Sequence, residues 1–292
     1  METRKQEKQN LSLFICPICR RPLEYDAHSY RCRSGHCYDI AREGYVNLLP
    51  VNQRHSDMPG DDRAMVNART GFLDGGWYEP LRERLCMLTK ELAPEKAILL
   101  DAGCGEGYYT GALSRILSEK AGRAAGIDLS KSAVRRAAKR CPDAEIAVAS
   151  VYHMPLTERS ADILINCFSP LAAEEFTRVL KPGGFFLYVV PDRKHLWEMK
   201  EILYDAPYEN SPSDGSYAGF RQIGAVPLEF RMRLQKQEDI MDLFQMTPYA
   251  WKTPKSGRDR LAEFRELTVT AQFRILVFQR EGRNDSGQFS SQ

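Results

Sequence analysis

The chain has 292 residues, 43% hydrophobic and 27% charged, with 41 Lys and Arg against 39 Asp and Glu for a formal net charge of +2. This is the composition of an ordinary globular protein, and the length suits two domains or one large domain with an appendage. Near-neutral charge excludes nucleic-acid binding by bulk attraction, so any basic surface must be local, and no apolar run is long enough to suggest a membrane span.

Residues 1–12 are polar and read as disordered. They lack the apolar core of a secretory signal, so the expected compartment is the cytoplasm, where thiols stay reduced. The eight cysteines then need a reading other than disulfides. Cys86, Cys104, Cys141 and Cys167 are scattered, mostly in apolar surroundings, and read as buried inert thiols. Cys16, Cys19, Cys32 and Cys37 crowd a short, turn-rich unit over residues 13–50. Cys16-Pro-Ile-Cys19 followed by Cys32-Arg-Ser-Gly-His36 offers two close pairs of ligands, which suits tetrahedral Zn²⁺. Cys37 rivals His36 for the fourth place; His36 follows a glycine turn, as a second knuckle needs, and is preferred. Four protein ligands leave no open position, so the metal is expected to be structural, stapling a unit too short for its own core. Arg20, Arg21, Arg31 and Arg33 flank the ligands, with Tyr25 and Tyr30 between the pairs. This set suits contact with RNA phosphates and bases, and equally suits a plain solvated surface.

Residues 51–65 read as a linker, and a larger domain is expected over 66–281. Helical spacing begins at Ala64 and returns over 78–92. Strands are expected at 97–101, 124–128, 145–149, 161–167 and 185–190. Helices are expected at 108–119, at 130–140 with Ser130 as N-cap, and at 172–180. This alternation implies a doubly wound parallel α/β sheet. Beyond it, residues 217–233 suggest a strand pair, 236–244 a helix, and 267–279 a hairpin or edge strands. Residues 282–292 read as a disordered tail.

The first strand ends in Asp101 and runs into Gly103-Cys-Gly105-Glu-Gly107 before a helix. Glycines there let the backbone turn sharply and approach a nucleotide at the carboxyl ends of the strands. The spacing is not the G-x-G-x-x-G that cradles a pyrophosphate. An acidic strand end repels phosphate and suits S-adenosylmethionine, which carries an ammonium and a sulfonium. Asp128 ends the second strand, placed for ribose hydroxyls. With Lys181-Pro-Gly-Gly184 before the fifth strand, residues 95–190 resemble the class I S-adenosylmethionine methyltransferases. A Rossmann domain that binds NAD, or no ligand, is the alternative.

The zinc unit in front narrows the resemblance. His36-Cys-Tyr-Asp-Ile-Ala-Arg-Glu-Gly-Tyr-Val-Asn-Leu-Leu-Pro50, Pro59-Gly-Asp61, Arg69-Thr-Gly-Phe-Leu-Asp74, Tyr78-Glu-Pro-Leu81 and Gln245-Met-Thr-Pro-Tyr-Ala-Trp251 resemble the 23S ribosomal RNA guanine-N1-methyltransferases. The similarity runs from about residue 14 to residue 280. It implies methylation at N1 of a guanine in hairpin 35 of 23S RNA, a zinc unit that recognises the RNA, and a homodimer. It also implies cofactor contacts at Tyr78, Gly105, Glu106 and His195.

Guanine N1 carries a proton at neutral pH, so a general base would help. The loop Asn166-Cys-Phe-Ser-Pro170 has no carboxylate, and Glu106 and Asp192 are candidates with other possible roles. No catalytic residue is assigned. Phe168, Tyr188 and Trp197 are candidates to line a pocket for an unstacked base, Tyr188 being more readily core. Two other functions compete: a small-molecule methyltransferase with a zinc appendage, and a non-catalytic zinc protein that binds RNA.

Overall fold

The structure, a computed structural model, describes residues 11–51, 61–211 and 215–282. Most of the segments expected to be terminal disorder or linker lie outside those residues. At two of their described ends the chain is already in regular structure. Strand β1 (Leu11–Ile15) starts inside the N-terminal stretch, because Ser12 and Leu13 hydrogen-bond to Glu145. Helix α1 (Arg63–Asp74) starts inside the linker, because Asp62 caps it by accepting from Met65 N at 2.8 Å.

Strands β1, β2 (Pro22–Asp26), β3 (Ser29–Arg31) and β4 (Cys37–Asp39) form a small antiparallel sheet. Strand β5 (Tyr45–Asn47) leaves that unit and joins a second, eight-stranded sheet. The other members are β6 (Ile98–Ala102), β7 (Arg123–Asp128), β8 (Ala144–Val148), β9 (Ala161–Cys167), β10 (Leu180–Pro191), β11 (Phe220–Leu234) and β12 (Leu267–Arg280). The order is β11-β12-β10-β9-β6-β7-β8-β5. Strands β5 to β10 run parallel; β12 is antiparallel to β10, and β11 to β12. Parallel strands need crossovers, supplied by α3 (Tyr108–Ser118), α4 (Lys131–Arg140) and α5 (Ala173–Val179).

Strand parity divides the core. Leu99, Ile163, Ile165 and Leu187 face one side, where α2 (Glu79–Leu92), α6 (Trp197–Leu203) and α7 (Gln237–Gln245) pack. Leu100, Leu164 and Phe186 face the other, together with Phe176 of α5. The small sheet belongs to this second core: Phe14, Cys16, Leu23 and Cys32 are buried in the same cluster. Burying Phe14 completely is worth roughly 1.5–3 kcal/mol, so the zinc unit draws its stability from the large sheet as well as from a metal.

Two expectations from the sequence change. Residues 217–233 hold one long strand, β11, instead of a pair, and 267–279 is one strand, β12, instead of a hairpin. They pair with each other from Phe220 opposite Arg280 to Leu234 opposite Leu267. Period-two alternation marks a strand but not its partner; α7, α8 (Tyr249–Lys252) and α9 (Lys255–Ala262) lie between the two halves. Ser130 stands at the N-cap position of α4, yet its hydroxyl makes no capping bond and donates to Asp61 O at 2.8 Å.

Candidate cofactor and zinc sites

The loop after β6 turns on three glycines with positive φ: Gly103 (+89°), Gly105 (+54°) and Gly107 (+80°). Space is as restrictive as conformation. A Cβ at Gly103 would lie 2.3 Å from Ser169 Oγ, and one at Gly107 would lie 2.7 Å from Cys141 Sγ. Gly103 N and Cys104 N both donate to Ile127 O at 2.9 Å, drawing the loop over the end of β7.

Three carboxylates converge on this loop. Asp101 is buried. Its Oδ2 accepts from Thr110 Oγ1 at 2.6 Å, and its Oδ1 has no partner among the described residues. Burial pushes its carboxyl up to about 7, against the Thr110 hydrogen bond and with help from Asp128 and Glu106. Asp128 accepts from Gly105 N at 3.0 Å on one oxygen and from Ser130 N at 2.8 Å on the other. Burial raises its pKa as well. Each of its oxygens keeps a second lone pair, so ribose hydroxyls remain within its capacity. Glu106 is buried, and its Oε2 accepts from Arg69 Nε at 2.7 Å; Arg69 also pairs with Asp61. An acid-lined loop of this kind is wrong for a pyrophosphate. The buried, unpartnered Asp101 oxygen fits an ammonium donor, so the residues present suit S-adenosylmethionine.

The two other expected cofactor contacts, Tyr78 and His195, meet on a residue that the sequence did not single out, Phe273 of β12. Its ring lies 5.1 Å from that of Tyr78 and 4.6 Å from that of His195. Tyr78 is buried at the start of α2, with Phe72 and Phe230 also against it. His195 Nδ1 accepts from Gln272 N at 3.2 Å, which places the ring proton on Nε2. Burial, aided by Lys200, holds the imidazole down to about 3, so it stays a neutral donor. Phe168 completes the group from the end of β9, 5.4 Å from Phe273. It is 49% exposed and has φ of +57°, a conformation disfavoured for a bulky residue and kept here beside the cofactor loop. Tyr188 stacks on Phe186 and is packing, as its strand position suggests. Trp197 hydrogen-bonds to Glu201 on its own helix and makes no ring contact with Phe168 or Phe273 among the described residues.

The zinc ligands come together. The donor atoms of Cys16, Cys19, Cys32 and His36 all lie within 4.8 Å of one another. Cys16 Sγ and Cys32 Sγ are each 3.4 Å from His36 Nδ1, and Cys19 Sγ is 3.6 Å from Cys32 Sγ. A tetrahedral site with Zn–S bonds of about 2.3 Å and a Zn–N bond of about 2.0 Å spaces its donors roughly 3.5–3.8 Å apart, so the set fits zinc. Cys37 is exposed on β4 and outside the cluster. Tyr38 Oη lies 3.1 Å from Cys16 Sγ, a donor to the thiolate that β4 supplies from outside the ligand set.

The arginines divide. Arg20 is exposed, yet its guanidinium is committed to the large sheet's side, donating to Met154 O and Leu156 O at 3.2 Å. Tyr30 reaches Glu145 at 3.5 Å and belongs to the same seam. Arg31 and Arg33 are exposed and paired with Asp26 and Glu24, and Arg21 and Tyr25 are exposed.

Comparison with known proteins finds a family for each of the two segments. The zinc-ribbon family described as "RlmA, N-terminal" matches residues 14–57, and the methyltransferase domain family matches residues 100–188. The 23S rRNA (guanine(748)-N(1))-methyltransferase of Streptomyces fradiae is 34% identical over 272 residues, which is 89% of this chain and 95% of that one. The chain belongs to the 23S rRNA guanine-N1-methyltransferase family. A Bacillus subtilis relative with a provisional name of the same kind is 33% identical over 281 residues, covering 92% of this chain and 97% of its own. Among solved structures, an S-adenosylmethionine-dependent methyltransferase from Aquifex aeolicus overlaps 75% of this chain and 99% of its own, with a TM-score of 0.45 and 19% identity. From the family matches and the relatives, the enzyme is a class I methyltransferase fold preceded by a zinc ribbon, using S-adenosylmethionine and Zn²⁺. No helix among the described residues is long and apolar enough to cross a membrane.

Proposed function

We propose that this enzyme methylates N1 of a guanine in hairpin 35 of 23S rRNA, with S-adenosylmethionine as donor. The reading rests on the 34% identity to the S. fradiae enzyme over 89% of this chain, with a zinc-ribbon match over 14–57 and a methyltransferase match over 100–188. S-adenosylmethionine, when bound, supplies an electrophilic methyl group on a sulfonium. The protein's part is to position and to exclude water. Asp101 Oδ1 holds the ammonium, Asp128 the ribose, and the bends at Gly103, Gly105 and Gly107 admit the cofactor. Glu106, fixed by Arg69, closes the loop's outer side, and Tyr78 and His195 border the site. Phe168 offers an exposed ring on which an unstacked guanine can lie.

Cys16, Cys19, Cys32 and His36 hold the zinc, and the ribbon over 13–50 presents Arg21, Tyr25, Arg31 and Arg33 to the RNA. Family membership supports a cytoplasmic homodimer as the working form. The domain scheme is a zinc ribbon to residue 50, a connector over 51–65, and the methyltransferase domain over 66–281.

The test is to incubate the enzyme with labelled cofactor and total RNA from cells lacking the gene, then map 23S rRNA by primer extension. A methyl on N1 blocks the pairing edge and should stop the polymerase at one guanine of hairpin 35. Label in a metabolite with none in 23S rRNA would refute the reading.

A further inference from the structure

Removing the N1 proton of guanine needs an acceptor, and the charge left behind spreads onto O6, which needs a donor. At the carboxyl end of β10 the chain carries both, side by side. Asp192 follows β10 directly, and its Oδ1 lies 3.3 Å from Arg274 Nε on β12. The two groups are not aligned as a hydrogen bond. Arg274 Nε and Nη2 are cut off from solvent and have no hydrogen-bond partner among the described residues. A guanidinium with two idle, desolvated donors is costly unless a ligand completes it.

A second orphan stands nearby. Arg274 is opposite Val190, and Asn166 is opposite Tyr188, two residues earlier on the same face of β10. Asn166 is fully buried. Its Nδ2 is committed to Pro170 O at 3.0 Å and Ser169 Oγ at 2.7 Å, with Ala102 O at 3.4 Å. Carbonyl acceptors on that side fix the amide orientation, and Oδ1 is left without a partner. Unsatisfied donors and an unsatisfied acceptor therefore share the face of Tyr188 and Val190, opposite the face of Phe273, near the carboxyl ends of the strands outside which this fold takes its ligands.

Asp192 is also held firmly. Its N–H donates to Gln272 O at 2.9 Å, and its carbonyl accepts from Asn210 Nδ2 at 2.8 Å. Asn210 Oδ1 in turn accepts from the buried Lys200 Nζ at 2.8 Å. Next to it in the chain, Arg193 pairs with Glu209, and Lys194 follows.

We propose that Asp192 is the general base for guanine N1 and that Arg274 donates to O6, the pair selecting guanine by its donor and acceptor edge. The N1–H bond breaks, and its proton passes to the Asp192 carboxylate. The electron pair of N1 forms the bond to the methyl carbon while the carbon–sulfur bond of the sulfonium breaks. That bond's electrons remain on sulfur as a neutral thioether, and Asp192 later returns the proton to water. This assignment rests on the guanine-N1 reading above.

The experiment is single-turnover methylation of a 23S rRNA transcript by the full chain, with the product nucleoside identified by mass spectrometry across a range of pH. Asp192→Asn should lower the rate by roughly 10²–10⁴-fold while leaving cofactor affinity, read by calorimetry, within about twofold. Its residual rate should climb about tenfold per pH unit, because solvent base now takes the proton, whereas the unmodified enzyme stays level through neutral pH. Arg274→Lys should retain more activity than Arg274→Met, since a cation is kept. An Asp192→Asn rate within about threefold of the unmodified enzyme, or a pH profile parallel to it, overturns the assignment. A loss of rate matched by an equal loss of cofactor affinity overturns it as well. If the unmodified enzyme puts its methyl elsewhere than guanine N1, the functional reading itself fails. N1-methylguanine from the unmodified enzyme with an unimpaired variant refutes only the role of Asp192.

Discussion

Arg69 donates through Nε to the buried carboxylate of Glu106 at 2.7 Å, joining α1 to the cofactor loop. The Glu106 side chain is 3% exposed, and Arg69 is its hydrogen-bond partner among the described residues. Arg69→Met should leave a buried charge unpaired and cost about 3–5 kcal/mol, read as a lower denaturation midpoint at neutral pH. The double variant Arg69→Met with Glu106→Gln should recover much of that loss. No recovery would mean that Arg69 acts through packing alone.

Asp101 sets a pH dependence whose direction is fixed. Its folded-state pKa is raised to about 7, above the ordinary carboxylate value. The folded chain therefore holds this proton more tightly than the unfolded chain, and this group's contribution to stability falls as pH rises from the ordinary value through about 7. Cofactor binding should run the other way, because a cationic ammonium favours ionised Asp101. Affinity is expected to weaken as pH drops below 7, with proton release on binding. Calorimetry in buffers of different ionisation enthalpy measures that release, and Asp101→Asn should abolish it.

Gly103 is expected to tolerate no side chain. Gly103→Ala must accept a φ of +89° and displace Ser169, whose Oγ also donates to Ala102 O at 2.6 Å. Cofactor affinity should fall at least tenfold, and Ser169→Ala added to it should restore only part, because the backbone strain of about 1–2 kcal/mol persists. Full restoration by the second change would assign the whole effect to the collision.

Zinc and sheet should melt together. Glu145 of β8 accepts from Ser12, Leu13 and Arg123, and Arg123 also donates to Leu11 O at 2.9 Å. Tyr45 and Leu49, just beyond the small sheet, pack with Cys104 of the cofactor loop. Chelation should lower a single calorimetric transition for the whole chain. Two separated transitions would show the ribbon to be independent. Glu145→Gln should speed amide exchange at Leu13 and cost about 1.5–3 kcal/mol.

The sequence was most informative where one local chemistry decides the outcome. Cys16, Cys19, Cys32 and His36 could be chosen over Cys37 because the glycine turn at Gly35, with φ of +86°, determines which side chain faces the first pair. Asp101 and Asp128 followed from strand ends. Long-range partners were not legible. Arg20 looks like a surface cation beside a zinc ligand, and only the fold shows the carbonyls of Met154 and Leu156 beneath it. Phe273 sits in an unremarked alternating strand, yet Tyr78, His195 and Phe168 all pack on it. The Asp192–Arg274 pair joins residues far apart in the chain that antiparallel pairing of β10 with β12 alone brings together.

The addition of β5 to β8 bears on how the rims of the sheet are protected. An open sheet has two rims, each a row of backbone donors and acceptors that can recruit another chain. The β11 rim is guarded by Pro227 at mid-strand, by Arg221, Glu229, Arg231 and Arg233, and by an irregularity between Gln222 and Gly224. The β8 rim, Ala144-Glu-Ile-Ala-Val148, has no such guard except Glu145, and that carboxylate is turned to β1. Tyr45–Asn47 is its cover. A methyltransferase half trimmed of everything before residue 51 would keep its catalytic loops and lose that cover, leaving an adhesive margin. The segment that follows the zinc ligands thus also shields the β8 margin of the enzyme.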